Sequence, residues 1–363
     1  MNRSAKYSLK FATKKKKALL MQTFEVYKRY LRRTITLMWN GDVAAGKYMS
    51  SPEIIWMDDL NSSYKQMIYQ HASSIIRGNS KNKPKIKNVC INFTQRDIAI
   101  EESNNSFDKW LRLKLPFIKD GYKSQKIEIL IPIKEHKHSL QFNDWKRAKS
   151  VRVSKTYATF VFEKEEPFKK ETGKTIGVDQ GFKKLLVTSD GQVIGKDFEK
   201  FYEKITRKQQ GSKAFERALR ERDQEIDFLI KNKLNLNGVK EIKVEALKGI
   251  KKDIKKKKRF NKKFRNKFQR WVYAHVLRRL ESHCQLNRVQ LTHVDPAYSS
   301  QTCSKCSFIH ASNRNLEKFK CVNCGYEADA DYNAARIIAG RSFIMVLLIQ
   351  TKRSRNFRCI SLQ

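Results

Sequence analysis

The sequence predicts a mixed α/β chain of more than one domain, and three observations carry that expectation. Residues 173–194 read as three short strands in hairpin order, and the segments after them alternate helix and strand. Residues 85–168 hold a second set of short β-type runs. Two CxxC pairs, at Cys303/Cys306 and Cys321/Cys324, stand close together late in the alternating segment. At 363 residues the chain can bury a sizeable core in two or three domains.

Taken in order, residues 6–11 read as a strand and Lys14 to Lys17 as a basic run. From Ala18 to about Arg77, aromatic and aliphatic residues such as Phe24, Tyr27 and Leu31 recur at three- and four-residue spacing, which predicts helix. Residues 89–93, 110–115, 126–133 and 156–163 are β-type, with turn signals such as Asp120-Gly121 between them. This pattern implies a small β-barrel or sandwich interrupted by a helical insert. Residues 164–173 form a linker. An apolar strand over 175–179, a second over 184–188 and a third beginning at Val193-Ile194 follow, with Asp190-Gly191 as a hairpin turn. Charged helices over 199–209 and 212–233, a strand over 241–245, a long basic helix from Lys251 to about Gln285, a strand over 288–294 and a helix over 331–339 complete the series. Three hairpin strands and then alternating helix and strand is the order of an RNase H-type fold. No internal repeat is visible.

Charge narrows the function. Lys and Arg number 77 against 36 Asp and Glu, a net charge of 77 − 36 = +41. A polyphosphate partner relieves that self-repulsion, because each neutralised phosphate releases condensed counterions. A membrane partner would want an apolar anchor. The longest strongly apolar run near a terminus, residues 343–349, falls far short of the ~20 residues that span a bilayer. The N-terminal MNRSAKYSLKFATKKKK has charge without an apolar stretch behind it, unlike a secretory signal, so a soluble intracellular protein is expected. Ribosomal proteins share the composition but seldom this length, and they need no clustered carboxylates.

Seven cysteines, an odd number with four in close pairs, point to metal binding in a reducing compartment rather than a disulfide framework. Cys90, Cys284 and Cys359 read as ordinary thiols. Cys303, Cys306, Cys321 and Cys324 form two knuckles 14 residues apart, which can place four thiolates around a tetrahedral zinc ion. A redox-active CxxC is the weaker reading, since two pairs occur together. With every ligand position filled by protein, such a zinc is structural. Gly325 permits the tight turn after the second knuckle, whereas Ser307 occupies the matching place after the first.

Three acids stand at element boundaries. Asp179 closes the strand Ile176-Gly177-Val178-Asp179, Glu245 closes Ile242-Lys243-Val244-Glu245, and Asp331 opens the last helix. Three converging acids in so basic a chain would repel one another unless divalent cations lay between them. Ala334 and Ala335 are small enough to let that helix approach the sheet. Each acid alone has an ordinary explanation as a turn, a solvated strand end or a helix cap. Asp329 is a rival to Asp331 and reads as the helix cap; Asp197 and Asp295 are weaker candidates.

The segments GVDQGFKKLLVTSDG, KVEALKG and HVDPAYSSQTCSKC…FKCVNCGYEADADYNAAR resemble the three RuvC blocks and zinc segment of TnpB, the transposon-encoded RNA-guided nucleases. They are similarly close to the miniature type V CRISPR effectors. The resemblance covers about residues 173–340 and implies an RNase H-like (RuvC) α/β core with an inserted zinc ribbon, preceded by an oligonucleotide-binding-like β-barrel interrupted by a helical domain. The implied domains are a first wedge-barrel strand at 1–17, a helical recognition domain at 18–84, the wedge barrel at 85–172, the core at 173–300, the ribbon at 301–326, the third RuvC motif at 327–342 and a tail at 343–363. By position it places the catalytic, magnesium-binding acids at Asp179, Glu245 and Asp331 and the zinc ligands at Cys303, Cys306, Cys321 and Cys324. Ala246, Ser307 and Ile337 depart from the family pattern, and none removes a ligand.

The function so implied is RNA-guided DNA cleavage of TnpB type, using structural Zn²⁺ and catalytic Mg²⁺ or Mn²⁺. The partners would be a guide RNA and double-stranded DNA with a short flanking motif, bound by a monomer or dimer in the cytoplasm of a prokaryotic, mobile-element or phage host. A miniature type V effector, a guided repressor that does not cut and an RNA-independent transposase or resolvase are the rivals. The basic run after Lys248 and the stripe Phe260, Phe264, Phe268 and Trp271 read as phosphate contacts and core packing, respectively. Arg314, between the knuckles, reads as a surface residue within reach of a scissile phosphate.

Overall fold

The computed structural model describes residues 1–46, 60–78, 82–102, 106–116, 126–247 and 272–341. The basic run after Lys248, the aromatic stripe, the Asp120-Gly121 turn, the apolar run at 343–349 and Cys359 lie outside them. The chain divides into two compact units, residues 1–165 and 166–363.

In the first unit, β1 (Asn2–Ser8), β2 (Ile91–Phe93), β6 (Lys146–Val153) and β7 (Tyr157–Glu163) form an antiparallel sheet in the order β1-β7-β6-β2. A second antiparallel sheet joins β3 (Ile98–Glu102), β4 (Lys109–Pro116) and β5 (Lys126–Ile133). Alternation turns Ala158, Phe160 and Phe162 of β7 inward with Ala5 and Tyr7 of β1. The first strand ends earlier than the sequence suggests. The Ala12 amide bonds back to the Leu9 carbonyl, and Thr13 then caps α1 (Lys14–Asn40) by accepting from the Lys16 amide at 3.4 Å. The lysine run is therefore the largely exposed first turn of that helix, which begins before the Ala18 start that the sequence suggests. Helix α1 buries Phe24, Tyr27, Leu31 and Ile35, and α2 (Ser62–Gly78) buries Tyr64, Ile68 and Ala72, in a core shared with strands of both sheets. A short helix, α3 (Lys137–Leu140), precedes β6. Strand β6 escaped the sequence reading because Lys146, Arg147, Lys149 and Arg152 dominate it; only Val151 and Val153 point inward.

The second unit is built on a five-stranded sheet of β8 (Lys174–Gln180), β9 (Leu186–Thr188), β10 (Val193–Ile194), β11 (Val239–Glu245) and β12 (Gln290–Val294), in the order β10-β9-β8-β11-β12. The first three strands are antiparallel, while β8, β11 and β12 run parallel. Ile176, Val178, Ile242 and Val244 share a core with α4 (Glu199–Thr206), α5 (Lys213–Asn232) and α6 (Tyr273–Leu286). By alternation, Gly177, Asp179, Lys243 and Glu245 face the other way. There the sheet meets α7 (Ala330–Gly340), whose Ala334, Ala335 and Ile338 are buried. Between β12 and α7 lies a small antiparallel sheet of β13 (Arg314–Asn315), β14 (Lys318–Lys320) and β15 (Glu327–Asp329). The mixed α/β class expected from the sequence is what the chain adopts. Of the expected helix from Lys251 to about Gln285, the described part is α6, which runs to Leu286. Among the described residues, no helix is long and apolar enough to cross a membrane.

Candidate functional site

Pairing register brings two of the three acids together. Val178 on β8 is opposite Val244 on the parallel β11, so Asp179 and Glu245, the next residue on each strand, emerge side by side at the strands' C-terminal ends. That end of a parallel sheet is where open α/β folds hold ligands. Asp331 enters from the first turn of α7, where its side chain is 14% exposed.

The carboxylates feel one another. Burial pushes the Asp179 carboxyl well above its ordinary range; the charges of Glu245 and Asp331 push it further, and Arg314 opposes them. Burial also raises Glu245, against a hydrogen bond from Ser299 and the nearby Arg341 and Arg314. Arg314 donates to Asp331 Oδ1 at 2.9 Å, and Lys184 Nζ stands 3.8 Å from Asp331 Oδ2. Arg314, read from sequence as a surface residue, is thus drawn into the acid cluster. Asp329 is the helix cap, accepting from the Asp331 and Tyr332 amides at 3.1 Å, and it also pairs with Lys184. Asp295 accepts from the Ala297 amide at 2.9 Å as the start of a turn, and its charge reaches Glu245. Asp197 lies before α4, in the left-handed region at φ 57°.

The approach of α7 depends on a residue that sequence reading passed over. A Cβ on Gly177 would lie 2.1 Å from the Ala335 carbonyl oxygen and 2.4 Å from the Ala339 nitrogen, so the helix rests directly on the strand backbone. Lys243, also on this face, donates to the Ala339 and Arg341 carbonyls at 3.1 and 2.7 Å, meeting acceptors that the helix end leaves open. Arg341 in turn donates to the carbonyls of Asp295 and Ala297, pinning the loop that carries Ser299. None of these residues has a composition signal; their roles come from what the fold places next to them.

The four cysteines converge. Cys303 and Cys324 sulfurs are 3.7 Å apart, Cys306 and Cys321 3.6 Å, and all four lie within 4.8 Å of one another. Tetrahedral thiolates about 2.3 Å from one zinc ion would stand about 3.8 Å apart. The donor set and spacing therefore fit that ion, and the cluster can hold it. Amides of Lys305 and Cys324 point at the Cys303 and Cys321 sulfurs at 3.4 and 3.5 Å. The two knuckles repeat each other: Ser307 at φ 61° and Gly325 at φ 69° both bond back to the first cysteine of their pair, at 2.9 and 3.0 Å. Among the described residues this is the one group of three or more His, Cys, Asp or Glu ligand atoms gathered so tightly. The three carboxylates are looser, with Arg314 and Lys184 beside Asp331. Of the remaining thiols, Cys284 is buried and its thiol pushed up to about 12 by that burial, and Cys90 is half-buried.

Comparison with known proteins bears out the resemblance read from these motifs. The family model described as "Cas12f1-like, TNB domain" matches residues 273–338, from α6 through the ribbon into α7. The chain is 43% identical over 72 residues to the CRISPR-associated endodeoxyribonuclease Cas12f1 of Sulfoacidibacillus thermotolerans, covering 20% of this chain and 17% of that protein. It is 31% identical over 116 residues to the protein of the same name from an uncultured archaeon, covering 30% of this chain and 20% of that protein. The matches thus span about a fifth of each curated relative. A Cas12f1 solved with sgRNA and target DNA shares the fold at a TM-score of 0.51 and 16% identity, over 89% of this chain and 82% of that one. The chain resembles the miniature type V effector nucleases, which are related to TnpB.

Proposed function

We propose that the chain is an RNA-guided DNA endonuclease of the miniature type V and TnpB kind, and that residues 173–342 are its RuvC-like, RNase H-type core with an inserted zinc ribbon. The observation that carries the reading is the emergence of Asp179 and Glu245 from adjacent parallel strands, on the sheet face that α7 and Asp331 cover. The strand order, three antiparallel and then two more parallel to the first, supports the RNase H assignment. The similarity to Cas12f1, and to its complex with sgRNA and target DNA, supports guide RNA and duplex DNA as partners. The net charge of +41 suits both.

Asp179, Glu245 and Asp331 would hold divalent cations, Mg²⁺ or Mn²⁺. When bound, such ions supply an activated water and a stabilised leaving oxygen for phosphodiester hydrolysis. The raised carboxyls of Asp179 and Glu245 fit that role: acids crowded and buried at a cost to their charged form gain most from a cation beside them. Ser299 orients Glu245 through its hydroxyl, and Asp329 caps the helix so that Asp331 is not needed as the cap. Arg314, which pairs with Asp331, would stand within reach of the scissile phosphate.

The test is to purify the protein with its bound RNA, sequence that RNA, and present a matched duplex with randomised flanks. Cleavage with Mg²⁺ that Asp179→Ala abolishes, with nucleic-acid binding retained, is the expected result. A discrete RNA with binding but no cutting in the parent chain would support a guided repressor instead.

A further inference from the structure

Two asparagines in the second unit, Asn313 and Asn333, are completely buried. A buried carboxamide is costly unless its polar atoms are met, and here the partners are backbone groups of the cysteine knuckles. Asn333 donates to the Thr302 carbonyl at 2.8 Å and accepts from the Ser304 amide at 3.0 Å, the two residues that bracket Cys303. Asn313 donates to the Gln301 and Phe308 carbonyls at 2.9 and 3.3 Å and accepts from the Val322 amide at 2.9 Å. It therefore ties the segments flanking the first cysteine pair to the residue after Cys321. Each asparagine also adjoins a residue of the carboxylate cluster. Asn333 lies in the first turn of α7 with Asp331, and Asn313 immediately precedes Arg314, which holds Asp331.

We propose that Asn333, with Asn313, is a positioning residue that couples the thiol site to the carboxylate site. Four sulfurs gathered on one ion fix the knuckle backbone. The two carboxamides are bonded to that backbone, so its shape sets where Asp331 and Arg314 stand. The ribbon's metal then acts on the affinity of the acids for theirs, as supporting contacts around metal ligands do elsewhere. This inference rests on the nuclease reading only in taking Asp331 as a divalent-cation ligand. Helix α7 has independent ties to the ribbon, the Ala330 amide to the Glu317 carbonyl at 2.8 Å and the packing of Ala330 in the ribbon core, so loss of the carboxamide leaves the helix attached.

The experiment follows Mn²⁺ binding to the full chain by electron paramagnetic resonance, before and after zinc is removed with a chelator. Binding that Asp179→Ala abolishes is assigned to the carboxylates. In the parent chain, zinc removal should weaken that binding on the order of tenfold or more. In Asn333→Ala with unchanged zinc content, the affinity should already be reduced by a similar factor, and zinc removal should weaken it less than about twofold further. Asn313→Ala is the second variant and carries the same expectation. The coupling is overturned if both variants keep the parent affinity, or if both keep the full response to zinc removal. Mn²⁺ binding that Asp179→Ala leaves wholly unchanged sinks the nuclease reading instead.

Discussion

Gly177 on β8 lies directly beneath Ala335 on α7, so close that a Cβ on the glycine would fall 2.1 Å from the alanine carbonyl oxygen. No rotamer relieves that contact, because both sides are backbone. Gly177→Ala must push α7 away from the sheet and carry Asp331 with it. Overpacking of this kind costs about 1–3 kcal/mol, and we expect a lower melting temperature together with loss of cleavage. Gly340→Ala is the control: nothing lies within 4 Å of a Cβ there, and stability and activity should stay near the parent values. Equal effects from the two substitutions would refute a special role for the Gly177 contact.

Asp179 should trade stability for chemistry. Its carboxyl is raised by burial first and then by Glu245 and Asp331. The stability belonging to its protonated form is complete below the ordinary Asp range, about 3.9. It is lost as pH climbs through the raised folded value. At neutral pH without divalent cations the parent chain therefore carries an unfavourable buried charge that Asp179→Asn lacks. The variant should melt at a higher temperature at pH 7 and at nearly the parent temperature in strong acid, while failing to cut. An unchanged or lowered melting temperature at pH 7 would show that the carboxylate is not under strain.

Ser307 repeats the position of Gly325 but without glycine's freedom, holding φ 61° where Gly325 holds 69°. A side chain in the left-handed region costs about 1–2 kcal/mol. Ser307→Gly should strengthen the ribbon by roughly that amount, measured as slower zinc loss to a chelator, and Gly325→Ser should weaken it by a similar amount. Opposite signs would mean that the two knuckles are not equivalent.

How much of this could be read from the sequence depends on where each signal resides. The cysteine pairs are chemically distinctive and closely spaced, so they are legible in the sequence, whereas the three acids, each with an ordinary explanation of its own, stand out only by their place at element ends and through the resemblance. The register that sets Asp179 beside Glu245 is not legible there, since pairing of β8 with β11 joins residues more than sixty positions apart. Strand β6 was hidden by its lysines and arginines, being held by its pairing with β7 rather than by composition. Gly177 is one residue of the segment GVDQG in the sequence, and its meaning lies in the helix packed against it. Asn313, Asn333 and Lys243 were indistinguishable from surface polar residues until their partners were seen to be backbone groups. In the sequence Arg314 reads as a surface residue within reach of a scissile phosphate; its ion pair with Asp331 depends on the path of β13.

Ser299 offers a test of the acid cluster that leaves every carboxylate in place. Its hydroxyl donates to Glu245 Oε1, and that bond draws the Glu245 carboxyl down against the rise that burial imposes. Ser299→Ala removes the bond without adding bulk, so the carboxyl should titrate at higher pH than in the parent. If Glu245 must be ionised to hold a cation, the acidic limb of the cleavage profile moves toward higher pH, and activity recovers on the alkaline side once the group is ionised again. A uniform loss of rate at every pH would point to misplacement of the loop after β12 instead. An acidic limb that does not move would remove Glu245 from the groups that set it.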